Sequence, residues 1–115
     1  IEVVPEDLET AKQKGYFTRN DPESIVQLVV MYNTLERYEN ALYHVRGLVE
    51  RDPENVQYHA WLASIYRSLG DDAKAHGDTK NMHDNYKKAQ QELKLMLKLD
   101  PTQQDAVDEF LKTLP

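Results

Sequence analysis

Two stretches of this sequence decide the fold: IVQLVVMYNTL at residues 25–35 and HAWLASIYRSL at residues 59–69. Large apolar residues recur in both at intervals of three and four, the spacing that puts them on one face of an α-helix. The same spacing returns in ALYHVRGLV at 41–49 and in YKKAQQELKLML at 86–97. Val and Ile seldom alternate with polar residues, so strands are not indicated. The sequence predicts an all-α domain of amphipathic helices.

Composition narrows the classes of partner. The 115 residues fit one domain, and 20 acidic against 14 basic residues give a net charge of −6, which repels phosphate backbones. We therefore expect no nucleic acid as a partner. No apolar run approaches the roughly 20 residues of a membrane helix, so direct membrane insertion is not expected either. The absence of cysteine excludes disulfides and cysteine-ligated zinc.

The sequence does not assign a compartment to this soluble domain; the cytoplasm is slightly favoured over an extracytoplasmic location. A chain that begins with Ile1 and shows no signal peptide is expected to derive from a longer product.

Helix boundaries are predicted by a dipeptide that occurs three times. Asp is a good N-cap and Pro a good first helical residue, so each copy predicts a helix start, at Asp21-Pro22, Asp52-Pro53 and Asp100-Pro101. We expect a single domain with an N-terminal capping helix within 1–21, helical hairpins in 22–55 and 56–103, and a capping or truncated helix in 104–115. The N-terminal helix is expected near Pro5–Lys14.

The two hairpins repeat one pattern. Leu28 and Leu62 are 34 residues apart, and the same offset aligns Val29 with Ala63, Tyr32 with Tyr66 and Leu35 with Leu69. The second helices share an aromatic, a small, an apolar and a closing Pro residue, at Tyr38, Ala41, Val45 and Pro53 and again at Tyr86, Ala89, Leu93 and Pro101. This pattern and its period resemble the tetratricopeptide repeat family. The resemblance covers roughly 22–101 and implies antiparallel helical hairpins stacked as a short right-handed solenoid.

The second hairpin carries an insertion near 71–85. Tyr66 and Tyr86 are 20 residues apart, whereas Tyr32 and Tyr38 are 6 apart, so 14 residues are extra. Fourteen is nearly four turns at about 3.6 residues each, so an even split would lengthen both helices by about two turns and preserve their inward faces. The turn would then fall at His76-Gly77-Asp78. In the alternative, the turn stays at Gly70-Asp71 and the insertion forms a loop with a short helix.

The resemblance also implies where a ligand binds. First helices of the family line a concave groove that accepts a peptide from a partner, which makes such modules scaffolds and adaptors. Carried over position by position, the groove residues are Val26, Val30, Asn33, Thr34, Gln57, Ala60, Ser64 and Arg67. Val26 and Val30 stand where a carboxylate clamp needs polar or cationic residues, so we expect a partly apolar peptide, with Arg67 holding one acidic group. Alternatively, Val4, Leu8 and Ala11 of the N-terminal helix cover Val26 and Val30.

Two further features have two interpretations each. Trp61 is either a binding residue at an interface or an ordinary core residue. The lysines between residues 74 and 98 either keep that surface solvated or dock an acidic partner; they are Lys74, Lys80, Lys87, Lys88, Lys94 and Lys98.

Catalysis is not expected. No serine has the strand-turn-helix setting of a nucleophile elbow, and neighbouring carboxylates such as Asp71-Asp72 and Asp108-Glu109 point apart on a helix. No glycine loop that would cradle a phosphate is present, and we expect no cofactor. His76 and His83 lie near Asp78 and Asp84, but no strong metal-ligand spacing results, so no metal is expected either.

The main functional hypothesis is thus a module that binds another protein or a peptide. A second hypothesis is self-assembly into a homo-oligomer through an apolar face at Phe110, Leu111 and Leu114. A third is a noncatalytic arm of a larger enzyme or membrane complex.

Overall fold

The computed structural model describes residues 21–114 and is all-α over that range, with no strand. Five helices pack against one another, as the helical spacing predicts. A single 3-10 turn, Pro101–Gln103, precedes the last helix. The helices are α1 (Pro22–Thr34), α2 (Tyr38–Arg51), α3 (Val56–Ala75), α4 (Thr79–Leu99) and α5 (Gln104–Lys112). The predicted helix near Pro5–Lys14, and the predicted cover from Val4, Leu8 and Ala11, lie outside the described residues.

Side-chain caps begin three of the helices. Asp21, Asn55 and Asp78 each accept a hydrogen bond of 3.2 Å from the backbone N–H three residues later, which satisfies an otherwise unpaired amide. The Asp52-Pro53 dipeptide does not begin a helix, and that prediction was wrong. Asp52 instead follows the end of α2 and accepts a 3.2 Å bond from the Asn55 side chain, so the helix start moves on to Val56.

The insertion lengthens both helices of the second hairpin. The helices α3 and α4 have 20 and 21 residues, against 13 and 14 for α1 and α2. The turn lies at His76-Gly77-Asp78, and Gly77 has a φ of 74°, a left-handed conformation that glycine adopts without steric cost. The long hairpin is therefore confirmed, and the loop alternative is wrong because α3 continues through Gly70 and Asp71.

The core forms where the apolar stripes of consecutive helices meet. The larger cluster, which we call the main core cluster, joins α1, α2, α3 and a single residue of α4. Its buried members are Ile25, Leu28, Val29, Met31, Tyr32, Ala41, Val45, Leu48, Leu62, Ile65, Tyr66 and Ala89. A second cluster joins α3, α4 and α5 through Ala63, Leu93, Met96 and Val107. Most residues of the predicted stripes are buried and the others are half-buried against the two clusters, and burial of apolar area is the main stabilising term. Within residues 21–114, no helix combines the length and apolar character that crossing a bilayer requires.

Gly70 marks the closest approach of α3 and α4. A Cβ atom at this position would lie 2.5 Å from Cε1 of Tyr86, a buried ring whose hydroxyl donates a hydrogen bond to Asp71. The ring cannot turn away without losing that bond. The absence of a side chain at Gly70 therefore allows the two helices to pack.

We expect Gly70→Ala to lower the free energy of unfolding by about 1–2 kcal/mol. Overpacking costs about 1–3 kcal/mol, which outweighs a gain in helix propensity of up to about 1 kcal/mol. Gly47→Ala is the matched control, because a Cβ there meets nothing within 4 Å and only the propensity gain remains. Urea denaturation of both variants tests this; equal changes at the two glycines would contradict the close approach.

Candidate functional site

A groove runs between the two first helices of the hairpins, α1 and α3, and we call it the α1–α3 groove. Its volume is about 170 Å³, and it is lined by Val29, Val30, Asn33 and Thr34 of α1 and by Trp61, Ser64 and Ile65 of α3. Residues one turn apart on each helix form its two walls. The groove brings together four of the eight residues that the sequence predicts, namely Val30, Asn33, Thr34 and Ser64. None of its lining side chains is charged.

The groove combines an exposed apolar surface with free hydrogen-bonding groups. Val30 is 58% exposed, which is unusual for a branched aliphatic side chain on a helix beside a core. The Thr34 hydroxyl donates to the carbonyl of Val30 at 2.8 Å and keeps its lone pairs as acceptors. The side chains of Asn33 and Ser64 make no hydrogen bond to other described residues. A ligand in the groove therefore meets apolar contact and uncharged donors and acceptors.

Trp61 belongs to both the core and the groove. The indole is half-buried against the main core cluster, and its ring centroid lies 5.7 Å from that of Tyr58. The same side chain lines the groove opposite Val30. The two interpretations of Trp61 are therefore compatible, since one face can pack while an edge stays available. The repeat contains a sequence signal for this position. Trp61 lies 34 residues after Gln27, a polar residue, so the alignment places a large aromatic side chain where the first unit has a solvent-facing one; Gln27 is indeed exposed on α1.

The other four predicted residues do not line the α1–α3 groove. Val26 packs against the main cluster, and Ala60 packs against the second cluster beside α5. Gln57 is exposed in the first turn of α3. The Arg67 guanidinium lies 5.4 Å from the ring centroid of Phe110, and its Nε lies 3.8 Å from Oδ2 of Asp71. The packing of α5 against the preceding hairpin accounts for the positions of Ala60 and Arg67.

Arg67 takes part in a structural network. Asp71 accepts a hydrogen bond from the Tyr86 hydroxyl as well as facing Arg67. Burial, together with the bond to Asp71 and the charge of that carboxylate, raises the pKa of Tyr86 to about 12. The network links α3 to α4, and the stacking of Arg67 on Phe110 links it to α5. The expected role of Arg67 as the anchor for an acidic ligand group therefore has no support in the groove geometry.

A buried ionisable pair lies at the other end of α3. Nδ1 of His59 is 3.0 Å from Oε1 of Glu92, and Nε2 of His59 is 2.7 Å from the carbonyl oxygen of Pro53. Both neighbours are acceptors, and only the protonated imidazole can donate to both. Burial by itself would lower the pKa of His59, but the bonds to Glu92 and Pro53 and the carboxylate charge outweigh it and raise the pKa. The pair joins α3, α4 and the preceding loop.

A second and larger cavity lies on another face of the molecule, and we call it the α2–α4 cleft. Its volume is about 510 Å³. Three elements line it. The helix α2 contributes Glu39, Leu42 and Arg46. The second half of α3 and its C-cap contribute Tyr66, Leu69, Asp72, Ala73 and His76, and the N-cap and first half of α4 contribute Asp78, Asn81, Asn85 and Lys88. Most of these α3 and α4 residues belong to the insertion or adjoin it. Sequence reasoning missed this cleft because α2 belongs to the first hairpin and α3 and α4 to the second, and periodicity does not show how two hairpins meet.

The histidines of the long hairpin do not form a metal site with their neighbours. His76 is exposed, and its Nδ1 lies 2.8 Å from the carbonyl oxygen of Asp72. Over residues 21–114, no three side chains of His, Asp or Glu converge as ligands of one ion. Comparison with known proteins adds no further assignment: no family model, no curated protein and no solved structure matches the chain.

Proposed function

We propose that this chain is a protein-interaction module and that the α1–α3 groove binds an extended peptide segment of a partner protein. The single observation that carries the proposal is the open, uncharged groove with exposed Val30 opposite Trp61. An apolar ligand side chain can fill the space between these two residues. Asn33 and Ser64 have unused donors and acceptors for the peptide backbone of the ligand. The proposal assigns no catalytic residue and no cofactor.

We further propose that the hairpins are tandem units of a short right-handed solenoid of the tetratricopeptide type. Three observations support this arrangement. The helix α2 packs between α1 and α3, so consecutive helices are neighbours. Residues 34 apart occupy equivalent buried positions in the two units, as Leu28 and Leu62 do. Phe110 follows Leu62 by that period plus the 14-residue insertion, so α5 corresponds to the first helix of a third unit. In this arrangement the α1–α3 groove lies on the concave face.

A displayed random-peptide library selected on the chain supplies the ligand for a direct test. We expect the selected peptides to share an aliphatic or aromatic residue flanked by uncharged ones. Val30→Lys should lower the affinity of these peptides at least about tenfold, because a charge enters a site built for apolar contact and must be desolvated there. Fluorescence anisotropy with labelled peptides measures the change.

Leu95→Lys is the matched control, since Leu95 is an apolar residue of α4, 43% exposed and outside the groove. That variant should retain the affinity of the parent within about twofold. Equal losses in the two variants, or selected peptides that bind independently of Val30, would rule out the α1–α3 groove as the site.

Self-assembly remains the second candidate function, and one observation favours it. Leu111 is 40% exposed on α5, beside the half-buried Phe110 and Leu114. A second copy of the chain covering this face would make the molar mass depend on concentration. Light scattering over a range of concentrations distinguishes the two candidates, because a groove-binding monomer keeps a constant mass, and Leu111→Lys would abolish any concentration dependence that arises from α5.

A further inference from the structure

The outward face of α4 carries one stripe of positive charge. Four exposed lysines recur along it at intervals of seven, seven and four residues, which puts them within about 40° of one another around the helix. We call them the α4 basic stripe; they are Lys80, Lys87, Lys94 and Lys98. At about 1.5 Å per residue the stripe is about 27 Å long. Its sign is opposite to that of the whole chain, whose net charge is −6.

Few carboxylates on α4 compete with the stripe. The helix has two, Asp84 and Glu92. Glu92 faces inward: its side chain is 12% exposed, and its Oε1 lies 3.0 Å from Nδ1 of His59. On α4, only Asp84 is an exposed carboxylate beside the lysines, so the face keeps a clear positive excess. The ion pairs of residues 21–114 include no lysine of the stripe.

The stability of α4 does not account for this arrangement. Lys80 lies in the first turn of the helix, where the helix dipole disfavours a cation, and only Lys98, in the last turn, is favoured by it. Lys94 and Lys98 are four residues apart, and like charges at that spacing destabilise a helix. Lysines that alternate with glutamates would keep the face equally solvated and would stabilise the helix. The unmixed charge therefore fits the binding of an acidic surface better than solvation alone.

Two exposed leucines border the stripe on one side. Leu95 and Leu99 are 43% and 37% exposed, lie one turn apart, and each follow a lysine of the stripe directly. A partner that lies along α4 therefore meets apolar contact beside the cations, the combination that interfaces use for affinity and orientation.

We propose that the outward face of α4 is a second docking surface, separate from the α1–α3 groove, for an acidic amphipathic helix of a partner protein. Carboxylates that recur every seven residues on the partner helix match the spacing of the stripe, as charged residues do between the helices of a coiled coil. Apolar side chains of the partner cover Leu95 and Leu99. Each exposed ion pair contributes little, so binding depends on several pairs acting together and falls with salt.

An acidic protein helix fits this face better than a nucleic acid or an anionic membrane. Both of those extend well beyond α4, where the acidic remainder of the chain repels them. One helix of ordinary length lies along α4 alone and avoids most of that repulsion.

The test uses the full chain and an end-blocked peptide of three heptads of Glu, Ala and Leu, with Leu confined to one stripe. The same peptide with Gln in place of Glu is the matched control. Backbone amide chemical shifts are followed by NMR during titration. We expect the Glu peptide to shift the amides of Lys87, Lys94 and Leu95, and the Gln peptide to bind at least about tenfold more weakly. Higher salt should weaken the binding of the Glu peptide only.

Charge-removing variants locate the surface. The double variant Lys87→Gln/Lys94→Gln should lower the affinity for the Glu peptide about tenfold. Arg37→Gln/Lys112→Gln removes the same charge from exposed positions outside α4 and should change the affinity less than about twofold. Leu95→Ala tests the apolar contact and should lower the affinity about threefold.

The proposal requires a local effect of charge on α4. Equal losses in the two double variants would show diffuse attraction and overturn it. So would no binding of the Glu peptide, or tighter binding of vesicles that contain phosphatidylserine. A molar mass that rises with concentration in the parent, but not in Lys87→Gln/Lys94→Gln, would assign the face to a second copy of the chain instead. Val30→Lys should leave the affinity unchanged within about twofold, and a larger loss would place the peptide in the α1–α3 groove.

Discussion

Replacing Glu92 by Leu should lower the free energy of unfolding by about 3 kcal/mol near pH 6, because the change leaves the protonated His59 buried without its counter-charge. The side chains of His59 and Glu92 are 7% and 12% exposed, so solvent screens the pair little. The imidazole would keep only the bond to the carbonyl of Pro53. Urea denaturation near that pH measures the loss.

The loss should shrink as the pH rises. His59 has a folded pKa above its ordinary value near 6.5, so the stabilisation from its protonated form is complete below about pH 6.5 and disappears as the pH rises through the folded pKa. Burial lowers the pKa of His44, so the contribution of His44 to stability depends on pH in the opposite direction. The parent and the variant share this contribution. The difference between them therefore isolates His59. A difference that is equal at about pH 6 and about pH 8.5 would show that the pair is not ionic.

The double variant His59→Leu/Glu92→Leu is the control for this result. Well-packed apolar residues often replace a buried ion pair with no loss of stability. The equivalent residue of the first unit is Ile25, which is buried and apolar, so the site can accept Leu. We expect the double variant to be more stable than Glu92→Leu alone. Failure to recover would indicate that steric fit, rather than the unpaired charge, causes the loss in the single variant.

Sequence periodicity predicted the helices well because their faces are set by local spacing. The stripes from Leu28 to Leu35 and from Leu62 to Leu69 both line the core. The insertion was predictable because 14 residues are nearly four helical turns and so keep the inward faces aligned. The helix start at Val56 was missed because a capping dipeptide is a local preference. Asn55 supplies an equally good cap three residues after Asp52, and tertiary packing decides between them.

Contacts across helices were less predictable. Periodicity puts Glu92 between Ala89 and Leu93 on the inward face, but it does not say that His59 lies opposite. The same limitation affects the groove: four predicted residues line it, while Ala60 and Arg67 lie near α5 instead. The α2–α4 cleft depends on how far α3 and α4 extend past α2. The spacing of residues within one helix does not indicate how far α3 and α4 extend past α2.

Ala41→Leu and Ala89→Leu should each lower the free energy of unfolding by about 1–3 kcal/mol, since three added carbon atoms must fit into a packed interior. Both alanines are fully buried in the main core cluster, one on α2 and one on α4. Ala106→Leu is the matched control, because Ala106 is exposed on α5 and its replacement should change stability by less than about 0.5 kcal/mol.

Thermal and urea denaturation of the three single variants and of the double variant Ala41→Leu/Ala89→Leu provide the measurement. If the loss of stability in the double variant equals the sum of the two single losses, the core accommodates each Leu independently. If it differs from that sum by more than about 0.5 kcal/mol, the two sites share one rearrangement of the core. The alanines matter because small side chains let helices approach closely, and Ala41 lies on α2, the helix that packs against both α1 and α3. If both variants melted at the parent temperature, the helices would not be closely packed at Ala41 and Ala89, and the packing of α2 against α1 and α3 would not depend on a small residue at position 41.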